Sequence, residues 1–270
     1  MDSSEKVKSV VKNKYGEIAK SSSAISCCSS GCGCGTGSKI TDYSFVGESY
    51  HGRSGYNPDA DLNLGCGVPT DIAKIKEGDV VVDLGSGAGN DAFVARSLVG
   101  ASGRVIGIDM TEEMIKKANE NNKKMGYANV EFLFGEIETL PVKDNLADVI
   151  ISNCVLNLVP DKRKAFAEIF RVMKKGGHFS ISDIVTSGEL PSNIKGAAEA
   201  YAGCVAGALI EEEYLKIIKE TGFANIQVAK KRKITVPNEM LETFLSKKEI
   251  AEFRGSEVGI YSITVYGEKK

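Results

Sequence analysis

Histidine is nearly missing from this chain: His51 and His178 are the only two in 270 residues. His51 falls in an irregular stretch and His178 inside an expected strand. Neither follows a catalytic pattern, so the sequence offers no imidazole placed for general acid–base work. Net charge is missing too. Lysine and arginine nearly balance aspartate and glutamate, and the formal charge of −2 gives no case for binding nucleic acid or an anionic membrane. The one basic run, Lys230-Lys231-Arg232-Lys233, reads as a solvated strand end. No stretch approaches the ~18 apolar residues of a membrane span. The opening MDSSEKVKSVVKNKYG carries no apolar signal segment. The expected compartment is therefore the cytoplasm. Seven cysteines cannot all pair, and in that compartment thiols stay reduced, leaving structural, metal-binding or catalytic roles for them.

What is present is an ordinary soluble composition, 42% hydrophobic and 26% charged, enough to bury a sizeable core. Val7, Val10, Val11, Tyr15 and Ile18 recur at helical spacing and predict an amphipathic helix over 4–20. Residues 21–38, SSSAISCCSSGCGCGTGS, have almost nothing to bury and read as a flexible segment, although they hold Cys27, Cys28, Cys32 and Cys34. Residues 40–78 are irregular and contain NLGCGVP with Cys66. From Asp79, strands expected at 80–84, 104–109, 130–135, 147–152 and 178–184 alternate with helices near 89–99, 111–126 and 161–174. That alternation predicts a parallel sheet with helices on both faces. Beyond 185 the pattern changes to helices near 193–207 and 211–221, a strand near 225–234, a helix near 238–250 and a strand near 259–267. The expected organisation is a helix plus Cys-rich segment (1–39), a loop region carrying Cys66 (40–78), an α/β core (79–185) and a C-terminal α+β extension (186–270).

The stretch VVVDLGSGAGN is a strand, an acidic residue, a glycine turn and the start of a helix. Gly85, Gly87 and Gly89 allow a tight turn and close approach of a ligand to the backbone. The spacing is G-x-G-x-G, not the G-x-G-x-x-G usual for nicotinamide cofactors. Asp109 closes the next strand 24 residues after Gly85 (109 − 85), placed to accept hydrogen bonds from two ribose hydroxyls.

This combination resembles the class I S-adenosylmethionine-dependent methyltransferases, which implies a Rossmann-like sheet and S-adenosyl-L-methionine as methyl donor. On that resemblance Asp83, Gly85, Ser86, Gly87, Gly89, Asp109 and Met110 belong to the donor pocket. In FGEIETLP, Glu136 would meet the adenine amino group and Ile137 would cover the ring, a mild departure from the family's more frequent Asp-Ala. Asn153 would shape the pocket through backbone or amide contacts. Asp83 has a plainer alternative, as a turn acceptor for backbone N–H groups.

The acceptor is suggested by thiols. Cys66 precedes the core, Cys154 ends the fourth strand in ISNCVLNLVPDK, and Cys204 lies in AGCVAGAL. Taken singly, each is better explained as a small buried hydrophobe than as a ligand. Together with NLGCGVP and VVDLGSGAGNDAF, these stretches are similar to the arsenite S-adenosylmethyltransferases. The resemblance implies that Cys66, Cys154 and Cys204 bind trivalent arsenic and that arsenite, then methylarsenite, is methylated in arsenic detoxification. It also implies a thiol reductant of thioredoxin or glutathione type as partner. The chemistry is coherent. Trivalent arsenic is soft and prefers thiolates, and its lone pair is the nucleophile, so no general base is required. The glycines beside Cys66 predict a mobile segment that closes when substrate arrives. Two other functions fit the same residues: methyl transfer to a small organic acceptor, and metalloid binding without turnover.

Overall fold

The structure is a computed structural model that describes residues 3–21, 46–190, 207–235, 242 and 245–270. The Cys-rich segment, the expected helix at 193–207 and Cys204 lie outside the described residues. The strands are β1 (Val80–Leu84), β2 (Arg104–Asp109), β3 (Val130–Phe134), β4 (Ala147–Asn153), β5 (Met173–Thr186), β6 (Leu209–Ile210), β7 (Ala224–Ile234) and β8 (Ile260–Glu268). The helices are α1 (Ser3–Ser21), α2 (Asn90–Val99), α3 (Glu112–Met125), α4 (Lys162–Val172), α5 (Glu211–Glu220) and α6 (Lys247–Gly255).

All the long strands join one sheet in the order β3-β2-β1-β4-β5-β8-β7, with β6 beside β5. The first five in that order run parallel, and β8 lies antiparallel to both β5 and β7. The central strand β1 is a β-branched run, buried from Val81 onward, as a strand covered on both faces should be. One face packs α4 and α5 through Phe166, Ile169, Phe179 and Tyr214. The other packs α2 and α3 through Phe93, Val99 and Ala118. The C-terminal region adds β7 and β8 to this same sheet, from Thr186↔Ile260 to His178↔Glu268.

The core elements match the sequence expectations within a residue or two, with informative exceptions. Strand β5 begins at Met173, five residues early, because α4 ends at Val172 and the fully buried Met173 is already extended (φ −73, ψ 136). Helical periodicity alone does not mark such a passage without a loop. Of the helix expected at 238–250, residues 238–241, 243 and 244 lie outside the described residues; the described part is a helix over Lys247–Gly255, which runs five residues further than expected. It starts at Ser246, whose side chain accepts from the Glu249 N–H while Glu249 accepts from the Ser246 N–H. This S-x-x-E capping box was legible in the sequence. The two-residue β6 carries no sequence signal.

Gly107, mid-way along β2, lets two neighbours of the ligand side approach. A Cβ there would lie 2.5 Å from Phe132 Cδ1 and 2.8 Å from Ser86 Oγ. Gly107→Ala should therefore destabilise the fold by about 1–3 kcal/mol through overpacking, measured by chemical denaturation.

Candidate active site

A cleft enclosing about 1110 Å³ of solvent-open space lies at the C-terminal ends of β1, β2 and β4, where ligands of open α/β sheets bind. The glycine turn forms its floor. Gly85 (φ 66) and Gly87 (φ 52) have left-handed backbones. A Cβ on Gly85 would strike Val155 at 2.4 Å, whereas one on Gly87 would meet nothing within 4 Å. Gly87 thus exposes its backbone to the cleft. Its N–H donates to Asp109 Oδ2 (3.0 Å), and the Thr111 N–H donates to Asp109 Oδ1 (2.8 Å). A carboxylate offers about four lone-pair sites, so Asp109 keeps acceptor capacity for a ligand.

The walls are strongly acidic. Asp61, Asp83, Asp91, Asp109, Glu136 and Glu138 line the cleft, against one basic side chain among the described residues, Lys8. Asp83 is buried, receives the Ala92 N–H, and has an Oδ2 without a partner. Both sequence readings of Asp83 therefore have a basis: one oxygen serves the turn and the other is left over. Ser86 Oγ and Asn90 Oδ1 are likewise buried without partners. Burial, then the charges of Asp91 and Asp109, pushes the Asp83 carboxyl well above the usual carboxylate range. Burial raises Asp91 to about 6, although hydrogen bonds from Tyr50 and Asn153 pull it down. Such a cleft suits a ligand carrying positive charge.

Helix α1 forms the roof. Lys8, Val11 and Tyr15 line the cleft. The Lys8 ammonium bridges Glu136 (2.6 Å) and Glu138 (2.7 Å). Glu136, expected at the adenine amino group, is thus engaged by Lys8. Ile137 and Met110 line the same end.

Cys154 follows β4 directly and lines the cleft. Its backbone is left-handed (φ 62), uncommon for a residue with a side chain, and is held by its N–H donating to Ser182 O at 2.7 Å. Such strain costs on the order of 1–3 kcal/mol and clusters at functional sites. Cys66 is fully buried in the same apolar cluster as Cys154, together with Val11, Leu158 and Ile184. Neither thiol is in a disulfide.

The Cys66 segment, expected to be mobile, is tied to the strand ends by hydrogen bonds. The Asn153 side-chain oxygen accepts from the N–H groups of Cys66 (3.0 Å) and Gly67 (3.2 Å), and Ser262 Oγ donates to Cys66 O at 2.7 Å. The flanking glycines serve close approach. A Cβ on Gly65 would lie 2.5 Å from Asn153 Nδ2, and one on Gly67 would lie 2.6 Å from Ser182 Oγ. Asn153 therefore shapes the site by clasping the Cys66 loop. Sequence reasoning missed Tyr50, Asp91 and Lys8. Asp91 follows the glycine turn and was within reach of that motif, whereas Tyr50 stands in an irregular stretch with no signal.

Neither histidine lines the cleft: His51 is exposed and rests on Tyr56, and His178 contacts the Ala73 carbonyl. The basic run lies on β7, where Lys230 pairs with Glu48 and Lys231 with Glu211. Among the described residues, no cluster of three or more His, Cys, Asp or Glu is arranged to hold a metal ion. No described helix is long and apolar enough to cross a membrane.

A family profile described as "Methyltransferase domain" matches residues 75–222. The solved structure of an arsenic(III) S-adenosylmethionine methyltransferase from Chlamydomonas reinhardtii superposes with a TM-score of 0.65 at 35% identity, over 76% of this chain and 67% of that one. The chain belongs to the arsenite methyltransferase family, within the class I methyltransferases. An arsenite methyltransferase of Halobacterium salinarum is 42% identical over 209 residues, covering 74% of this chain and 53% of the relative. One from Mus musculus is 35% identical over 247 residues, covering 87% and 62%. This methyltransferase chain thus spans between half and two thirds of the length of those two curated relatives.

The raised carboxyl of Asp91 makes a signed prediction. A carboxyl whose pKa rises on folding adds stability below the usual carboxylate range, and that contribution is lost as pH climbs through about 6. Thermal melts of the ligand-free protein from pH 5 to 8 should show the wild type losing on the order of 1–3 kcal/mol relative to Asp91→Asn. Parallel pH profiles would refute the assignment.

Proposed function

We propose that this protein transfers a methyl group from S-adenosylmethionine to trivalent arsenic held by cysteine thiolates, arsenite first and methylarsenite second, as a detoxification reaction. One observation carries the reading: a strained thiol, Cys154, stands on the wall of an acid-lined nucleotide-sized cleft, and a second thiol, Cys66, is buried in the same cluster. The names of the relatives support it.

The residues present fit the donor. Asp109 has lone pairs left for ribose hydroxyls, Gly87 opens the backbone to a close ligand, and Ile137 and Met110 provide apolar cover for a base. Asp83, with its unpartnered oxygen, and Asp91 line the cleft and would hold the donor's ammonium and sulfonium, whose positive charge would draw both carboxyls to the ionised form. When bound, S-adenosylmethionine supplies a methyl group on a cationic sulfur.

Cys154 and Cys66 hold the acceptor, with Cys204 as the third thiol. Arsenite binds by exchanging hydroxides for thiolate sulfurs with loss of water, and the thiolate rather than the thiol is the ligand. The arsenic lone pair then forms the new As–C bond while the C–S bond breaks and its electrons return to sulfur. Arsenic is oxidised from the trivalent to the pentavalent state, so a thiol reductant of thioredoxin or glutathione type must restore it. A reducing compartment, the cytoplasm, suits both steps. No base is needed, in keeping with the absence of histidine from the cleft. Methylarsenite has only two exchangeable ligands, so two thiolates serve both steps and a third only the first; we take Cys154 and Cys204 as the persistent pair and Cys66 as the third.

The test is to incubate the pure protein with S-adenosylmethionine, a thiol reductant and arsenite, and to identify arsenic species by mass spectrometry. Methylated arsenic is expected. Tight arsenite binding without methylated product would leave a metalloid-binding protein instead. Cys154→Ser and Cys204→Ser should abolish methylation of both arsenicals, whereas Cys66→Ser should spare methylarsenite. Asp109→Ala should weaken donor binding about ten- to a hundredfold by calorimetry. Unchanged affinity would remove Asp109 from the donor site.

A further inference from the structure

The side chain of Asn153 makes five hydrogen-bond contacts beside the cleft, and they reach in two directions. Toward the acceptor loop, its oxygen accepts from the N–H groups of Cys66 (3.0 Å) and Gly67 (3.2 Å), and its Nδ2 donates to Gly67 O (2.8 Å). Toward the cleft, the same Nδ2 faces Tyr50 Oη (2.7 Å) and Asp91 Oδ2 (3.1 Å). Tyr50 in turn donates to Asp91 Oδ1 at 2.6 Å. The orientation of the amide is fixed by chemistry, because two N–H groups require the oxygen and a carbonyl and a carboxylate require the NH₂. The fit is tight, since even a methyl group on Gly65 would collide with Nδ2 at 2.5 Å.

We propose that Asn153, with Tyr50 and Asp91, is a positioning device that couples positive charge in the cleft to the placement of the Cys66 thiol. The coupling rests on the donor assignment made above, whereas the clasp itself stands on geometry alone. Asp91 is a wall of the cleft and neighbours Asp83. A cation there holds Asp91 ionised, and hydrogen bonds to an ionised acceptor are shorter and stronger than those to a neutral one. Tyr50 and Asn153 are then pulled into register, and the amide can only be in register while it grips Cys66 and Gly67. The acceptor thiol is thereby firmest when the sulfonium donor is in place and slacker when the cleft holds the demethylated product, which keeps the ammonium but has lost the sulfonium charge. Cys154 is outside this linkage, because its backbone is held by Ser182 O.

The experiment reads thiol protection, not turnover. The reduced full-length protein is pulse-labelled with iodoacetamide, and Cys66 and Cys154 are quantified by peptide mass spectrometry in the same sample. Asn153→Ala should raise Cys66 labelling at least about tenfold while Cys154 stays near its wild-type rate. The isosteric Asn153→Asp, which sets an oxygen against Gly67 O and Asp91, should do the same without changing side-chain volume. Tyr50→Phe should raise it less. Parallel rises at both cysteines, or an unchanged Cys66, would overturn the clasp. In the second arm, S-adenosylmethionine and S-adenosylhomocysteine are compared at saturation established by calorimetry. The sulfonium compound should protect Cys66 more in the wild type and not in Asn153→Ala. Equal protection would overturn the coupling. If calorimetry finds no binding of either, the donor assignment and the coupling fall together, while the variant labelling still decides the clasp.

Discussion

The architecture of the site depends on a single side-chain amide. Asn153 ends β4, the strand beside the central β1, and from there it binds a loop that departs from the chain 86 and 87 positions earlier. That loop has no secondary structure to hold it near Cys66, and backbone groups buried without partners are expensive. The amide supplies the missing partners, with Ser262 and Arg232 reaching the Cys66 carbonyl from the far side. Everything on the acceptor side follows: Gly65 must be glycine because the amide is so close, Gly67 must be glycine because Ser182 Oγ is, and Cys66 is buried because its loop is drawn onto the strand end.

On the donor side the organising constraint is electrostatic. Several carboxylates share one cleft, and Asp83 and Asp91 are each pushed toward the neutral form chiefly by burial. A fold selected only for stability would gain little from them, since buried charges are costly even when hydrogen-bonded as Asp91 is, and Asp83 keeps one oxygen without a partner. The strained backbone of Cys154 has the same character. Both features oppose folding locally and both face the cleft, so the destabilising elements lie where chemistry is expected. The surrounding sheet, buried on both faces, carries that load.

Much of this was legible in the residues. The β-branched run before GSGAG, the acidic ends of β1 and β2 and the regular alternation beyond Asp79 declare the parallel sheet, because periodicity and turn chemistry are local properties. Cys154 at a strand end was legible for the same reason. The grip on Cys66 was not. Glycines flanking a cysteine look the same whether they loosen a segment or let it press against a neighbour, and only the position of Asn153 in space separates the two. Tyr50 was invisible because nothing in an irregular stretch marks one tyrosine over another. The passage from α4 straight into β5 escaped for want of any breaker at the junction.

The roof of the cleft has a further consequence. Helix α1 covers the pocket, and its polar attachments include ion pairs: Lys8 with the half-exposed Glu136 and the buried Glu138, and Lys20 with Glu113 near the surface. Lys12 lies over the half-exposed ring of Phe134. The exposed Lys20–Glu113 pair, and to a lesser degree the partly buried Lys8 pairs, are weakened by salt, which screens charge over about 10 Å at ordinary ionic strength, whereas the floor, built from sheet hydrogen bonds and a packed core, responds less to salt. The two halves of one binding site therefore answer differently to one variable, and dissolved salt tunes how firmly the cleft is covered more than it alters what lies at its base.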